Sequence, residues 1–151
     1  MKQILFVVVL ALATAGISSA QQTDRNFGLG VIVGEPTGIS VGYWTADSRS
    51  FSGGAAWSFD GSASMHLHLD YLIHRFDIIS VNRGAMPLYF GLGGRLRFGD
   101  DDHFGVRIPL GVAYHLENAP FEFFLEIVPV MDLVPSTDLS GNSGLGVRVY
   151  F

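Results

Sequence analysis

Residues 87–98, PLYFGLGGRLRF, alternate between apolar side chains and side chains that are small, aromatic or positively charged. Successive residues of a β-strand point to opposite faces, so this segment has one continuous apolar face and one mixed face. The apolar face holds Leu88, Phe90, Leu92, Leu96 and Phe98, and the mixed face holds Tyr89, Gly91, Gly93, Arg95 and Arg97. The pattern predicts a long strand and excludes an amphipathic helix.

The same two-residue period continues through most of the chain. Clusters rich in Gly, Pro, Asp and Ser separate the segments, and the longest cluster is VPSTDLSGNS at 134–143. We predict about eight strands, at 26–34, 37–46, 50–60, 64–72, 87–98, 103–116, 120–131 and 142–151. Residues 21–151 therefore form a single all-β domain.

The two faces of these strands indicate what surrounds the sheet. The apolar face is unbroken for about the length that a tilted strand needs to cross a bilayer. The mixed face is small on the first three strands and charged on the later ones, which suits a narrow interior filled from one wall. The sequence predicts an eight-stranded antiparallel up-and-down transmembrane β-barrel with a plugged, charged lumen. Its expected partner is the lipid of the outer membrane.

The first twenty residues predict export. A lysine precedes the apolar run ILFVVVLALATA, and Ser18 and Ala20 are small residues suited to cleavage before Gln21. We interpret 1–20 as a signal peptide cleaved near Ala20, which would send residues 21–151 to the bacterial outer membrane. The chain has no cysteine, so disulfides and thiolate metal sites are excluded.

The charge balance excludes one class of partner. Beyond the signal peptide there are eight arginines and no lysine against fourteen acidic residues. Nucleic acid is not expected to bind, because phosphate recognition needs a basic surface.

The mixed face carries a predicted charge network in the lumen. Its members are Asp70, Arg95, Arg97, Arg107, Glu122, Glu126 and Arg148. Buried charges are costly unless they are paired. Arg107 and Arg148 lie on the strands that flank the strand of Glu122 and Glu126, so we expect these four side chains to pair.

The segment SMHLHLDY at 64–71 raises the alternative of a metal site. His66, His68 and Asp70 share one strand face, and HLHLD matches the start of the His-x-His-x-Asp-His motif of metallo-hydrolases. Tyr71 stands where the last histidine of that motif should be, and a zinc site needs three or four ligands with a second shell. We predict no metal and no cofactor.

Two further activities stay open as alternatives, a lipid-modifying enzyme and a narrow pore. Glu122 and Glu126 could form an acid/base pair, but we interpret them as counter-ions of the arginines. No predicted strand places a serine or histidine on its lipid face, as lipid-deacylating barrels do. Asp100, Asp101 and Asp102 could hold a hard cation, although a solvated turn explains them. No catalytic residue is predicted.

The chain ends in GLGVRVYF, which resembles the terminal signal that the bacterial barrel assembly machinery reads. The residues that carry this signal are Gly146, Val149 and Phe151. The whole mature chain also resembles a family of small bacterial outer-membrane β-barrels similar to the OmpA transmembrane domain. The resemblance rests on GEPTGISVGYW, PLYFGLGGRLRF, GVRIPLGVAYHLENAP and EIVPVMDLVPSTDL. It implies a fold and a membrane location but no particular activity.

The connections should divide unequally between the two ends of the barrel. Those at 34–37, 60–63 and 99–102 are short and are expected outside the cell, whereas the long segment 73–86 is expected in the periplasm. We expect Ile78, Ile79 and Val81 to pack over the periplasmic mouth.

Overall fold

The computed structural model describes residues 25–58 and 63–151. The predicted signal peptide, its cleavage site at Ala20 and most of the connection at 60–63 lie outside these residues. Within them, no helix is both long and apolar enough to cross a membrane.

The described chain is built from β-strands. They are β1 (Phe27–Glu35), β2 (Thr37–Ala46), β3 (Arg49–Ser58), β4 (Ser64–Arg75), β5 (Leu88–Phe98), β6 (His103–Arg107), β7 (Leu110–His115), β8 (Phe121–Val134) and β9 (Asp138–Tyr150). Each strand pairs antiparallel with its neighbours, and β1 also pairs with β9 from Gly28↔Tyr150 to Glu35↔Ser143. That last pairing closes the sheet into a ring with no free edge. The predicted up-and-down barrel is confirmed.

The sixth position in the ring is shared by two short strands. β6 and β7 both pair with β5 on one side and with β8 on the other, and their registers are continuous across the gap. The interruption falls at Pro109, which has no N–H to give to the ladder. Eight positions around the ring are therefore filled by nine strands, and the predicted segment 103–116 is divided at this proline.

The last hairpin is longer than the sequence pattern predicts. β8 continues to Val134 and β9 begins at Asp138, so only 135–137 connect them. The predicted connection between the strands 120–131 and 142–151 was therefore too long. Gly141, Asn142 and Ser143 are residues that are common in turns, but their backbone pairs with β8, and the pairing continues as far as Asp132↔Asp138. Cross-strand pairing thus outweighs local propensity here.

The outer face of the ring is apolar, as predicted. Large hydrophobic side chains project from every position of the ring, and Leu92 and Leu145 are 60% and 61% exposed. The inner face instead holds the buried Ser, His, Asp, Glu and Arg side chains. This arrangement is inverted relative to a water-soluble protein, where apolar side chains fill the interior.

The two ends of the barrel differ in their connections. At the terminal end, where β1 starts and β9 stops, the longest connection is 76–87, between β4 and β5. At the opposite, far end all connections are short. Within the long connection it is Phe76 that contacts the mouth, near the rings of Trp44 and His115. Ile78 is 55% exposed and lies against the outer wall, so its expected position over the mouth was wrong.

Candidate functional site in the lumen

Two unlike walls face each other across the lumen. β1, β2 and β3 contribute mainly glycine, serine and alanine, whereas β4 to β9 contribute the long polar side chains. Tyr150 shows the fit, because a Cβ placed on Gly28 would lie 2.7 Å from its ring, and one placed on Gly42 would meet its hydroxyl. Small residues on one wall therefore make room for large ones on the other.

Arg148 is the centre of the cluster nearest the terminal end. Its Nη1 donates to Glu122 Oε1 at 2.7 Å, its Nε donates to Ser40 Oγ at 2.9 Å, and its Nη2 donates to Ser52 Oγ at 2.7 Å. The guanidinium carbon also lies 4.1 Å from the centroid of the Phe124 ring. Each nitrogen of this buried guanidinium thus has a partner.

Arg107 occupies the middle of the lumen. Its Nε lies 2.8 Å from Asp70 Oδ1, close enough for an ion pair although the N–H is not directed at that oxygen. Its Nη2 lies 3.9 Å from Glu126 Oε1, and Tyr89 donates a hydrogen bond to Glu126 Oε2 at 2.8 Å. Arg107 therefore pairs mainly with Asp70 and only loosely with Glu126.

Arg95 forms a third cluster, toward the far end. Its Nη2 donates to both carboxylate oxygens of Asp132, at 2.9 and 2.8 Å, and lies 3.3 Å from Ser140 Oγ. Asp132 is absent from the predicted network because the predicted strand stopped at 131. The alternation of Glu122, Phe124, Glu126, Val128 and Val130 would have reached it, since Asp132 continues the same face.

The remaining predicted lumen residues lie near the far end without forming a metal site. Arg97 is half-buried, His66 shares a hydrogen bond with Ser64 Oγ at 3.0 Å, and His68 Nε2 lies 4.0 Å from Asp70 Oδ2. Within the described part of the chain, no three His, Asp or Glu side chains are grouped so that they could hold a metal ion. The carboxylate of Asp70 faces Arg107 instead.

An aromatic layer covers the lumen at the terminal end, and sequence reasoning missed it. The ring centroids of Trp44 and His74 are 4.3 Å apart, and those of His74 and Tyr89 are 5.3 Å apart. His74 also shares a hydrogen bond with Ser50 Oγ at 2.9 Å. Trp44 and His74 continue the inward alternation of β2 and β4, so the signal was present in the strand period.

One small cavity lies among the charged side chains. A cavity bordered by His68, Arg107, Glu126 and Asn142 has a volume of about 20 Å³, which is enough for roughly one water molecule. The charged side chains of the three clusters are bound mainly to other side chains of the lumen. Glu122 forms an ion pair with Arg148, whereas Glu126 accepts a hydrogen bond from Tyr89 and lies 3.9 Å from Arg107.

The outer face carries one polar side chain that bears on the enzyme alternative. Ser143 pairs with Ile127, which places it on the outer face, so the expectation that no strand presents a serine there was wrong. Residue 143 lies inside the predicted strand 142–151, and the two-residue period puts it on the same face as Val149 and Phe151. The described histidines of the strands all belong to the inward series, and Ser143 therefore has no histidine beside it on that face.

The three residues of the predicted terminal signal lie in well-paired structure. Gly146 is covered by the Phe124 ring, so any side chain there would collide with it. Val149 pairs with Leu29 and Phe121 and is buried between them. Phe151 is 56% exposed, its N–H donates to the carbonyl of Phe27, and the two rings meet edge to face at 5.4 Å.

Two solved structures have a similar fold. The chain is similar to the N-terminal β-barrel domain of Pseudomonas aeruginosa OprF, with a TM-score of 0.59 and 16% identity over 83% of this chain and 96% of that one. It is also similar to Neisserial surface protein A (NspA), with a TM-score of 0.55 and 13% identity over 83% of this chain and 94% of that one. No family model and no curated protein matches the sequence. The similarity establishes an OmpA-like barrel fold.

Proposed function

We propose that this protein is a small integral barrel of the bacterial outer membrane, with a plugged lumen and a structural or interaction role in the cell envelope. The observation that carries the proposal is the inverted distribution of side chains, apolar outside and charged inside. In water the outer band would be a very large exposed hydrophobic surface, whereas in lipid it is correctly solvated.

The route to the membrane belongs to the same proposal. Residues 1–20 would direct export and be cleaved near Ala20, and the assembly machinery would read the terminal strand that ends in Phe151. Phe151 directly follows β9 and is exposed, which supports this proposal.

Ion conductance tests the plugged lumen. We expect full-length protein from the outer-membrane fraction to show no steady conductance in a planar bilayer, because Arg148, Arg107 and Arg95 fill successive depths of the lumen. A double variant, Arg107→Ala with Glu126→Ala, shortens side chains only in the middle layer and should stay non-conducting, because Arg148 and Arg95 still fill the other two depths. Steady single-channel currents in the wild type would favour the narrow pore. Recovery of the protein only in the soluble periplasmic fraction would refute the membrane location.

A further inference from the structure

An apolar groove crosses the outer wall near the terminal end. Its volume is about 530 Å³, within the usual range of small-molecule sites. The outer side chains that line it come from β5, β7 and β8 and are Leu88, Phe90, Leu110, Val112, Leu125 and Ile127. Ile78 of the long connection lies along the same groove.

A pair of opposite charges stands at the edge of this groove. Arg75, the last residue of β4, lines the groove, and its Nε and Nη2 donate to Asp77 at 2.9 and 2.7 Å. The side chains are 52% and 65% exposed, so both remain accessible to a ligand. The hydrogen bond from Arg75 lowers the pKa of Asp77 to about 2, which keeps its carboxylate ionised at physiological pH.

We propose that this groove is a binding site for a zwitterionic phospholipid. One acyl chain would lie in the groove, the phosphate would contact Arg75, and the headgroup ammonium would contact Asp77. The proposal rests on the proposed membrane location, which brings lipid to this surface. It goes further by assigning a specific lipid class to a specific place.

Charge complementarity selects this occupant. The two Nη1 donors of Arg75 are not used by Asp77 and are free to bind a phosphate oxygen. An ammonium group joined to that phosphate through a two-carbon chain would meet the ionised carboxylate of Asp77. A purely anionic headgroup would satisfy Arg75 but would be repelled by Asp77.

Native mass spectrometry of the full chain in detergent tests the site. Wild-type protein is incubated with phosphatidylethanolamine or with phosphatidylglycerol, and retained lipid is counted. We expect one molecule of phosphatidylethanolamine per barrel and weaker retention of phosphatidylglycerol. Arg75→Gln and Asp77→Asn should each lower phosphatidylethanolamine retention about fivefold, the worth of one exposed charge contact. Val112→Trp, which fills the groove, should abolish retention.

Arg49→Gln is the matched control. Arg49 is also an exposed arginine at the terminal end, opposite Ile73 of β4, but it does not line the groove. Equal retention by the Arg75→Gln and Arg49→Gln variants would overturn the proposal, and so would equal or stronger retention of phosphatidylglycerol by the wild type. Because binding is measured in detergent and location by fractionation, failure of the lipid site is distinguishable from failure of the membrane location.

Discussion

The Arg148 and Arg95 clusters are both buried, yet they differ in how completely the charge is satisfied. Arg148 uses three different nitrogens to bind Glu122, Ser40 and Ser52. Arg95 directs one nitrogen at Asp132, and its Nε has no partner among the described residues. Since Arg95 is 2% exposed and Arg148 is 6% exposed, the degree of burial does not explain the difference.

The opposite wall explains it. Arg148 projects toward β2 and β3, where serines replace glycine at the positions that meet the guanidinium. Arg95 instead pairs with Asp132 of β8 and Ser140 of β9, which belong to the wall of long polar side chains. The number of hydrogen bonds to a buried arginine in this lumen thus depends on whether β2 and β3 carry serine hydroxyls at the same depth.

The largest predicted effect is at Arg148. We expect Arg148→Ala to lower the free energy of unfolding in detergent by roughly 3 to 5 kcal/mol, because Glu122 is left as an uncompensated buried charge. Urea titration followed by tryptophan fluorescence measures it. Arg83→Ala, at an exposed position of the long connection, is the control and should change little. A loss below about 1 kcal/mol for Arg148→Ala would mean that water reaches Glu122 and that this part of the lumen is open.

Much of this architecture follows from the two-residue period. The alternation of residue types predicts the two faces of each strand, the apolar exterior and the inward position of Arg148. It can do so because a strand of a closed barrel has only two environments. The pairing of Arg148 with Glu122 follows from adjacency of the strands. The closest partner of Arg107 could not be predicted from the sequence. It is Asp70 of β4, and β4 is not adjacent to β6, the strand of Arg107.

The strand boundaries that were predicted incorrectly have a physical explanation. Strand ends were assigned from turn propensity, which favoured a loop wherever Gly, Asn and Ser gather. In the β8–β9 hairpin the backbone pairs regardless, and this extension brings Asp132 into the lumen. The break at Pro109 is the opposite case, where an alternating segment lacks one hydrogen-bond donor. Neither outcome depends on side-chain hydrophobicity, so neither appears in the pattern.

A smaller effect is expected at Arg95. Arg95→Ala removes the hydrogen bonds to Asp132, and we expect a loss of about 2 kcal/mol, the scale of hydrogen bonding to a charged group. Asp132 lies close to the end of β8, so water can solvate the carboxylate once the arginine is gone. The same urea titration applies. A loss equal to that of Arg148→Ala would remove the contrast between the two clusters, and Arg95→Lys, which keeps the charge, should recover part of the stability.

The smallest expected quantity is the coupling between the clusters. Glu122 and Asp132 lie ten residues apart on β8, about 33 Å along the strand, so direct interaction between the clusters is negligible. In a double-mutant cycle, Arg148→Ala and Arg95→Ala should therefore add to within about 0.5 kcal/mol. Arg148→Ala with Glu122→Ala is the positive control and should be clearly non-additive, because those side chains share a hydrogen bond.

Between the clusters lie Arg107, Asp70 and Glu126, the only route by which they could communicate among the contacts described. A coupling above about 1 kcal/mol would show that this middle layer transmits rearrangements. The lumen would then be one cooperative network, and repeating the cycle in an Arg107→Ala background should abolish the coupling.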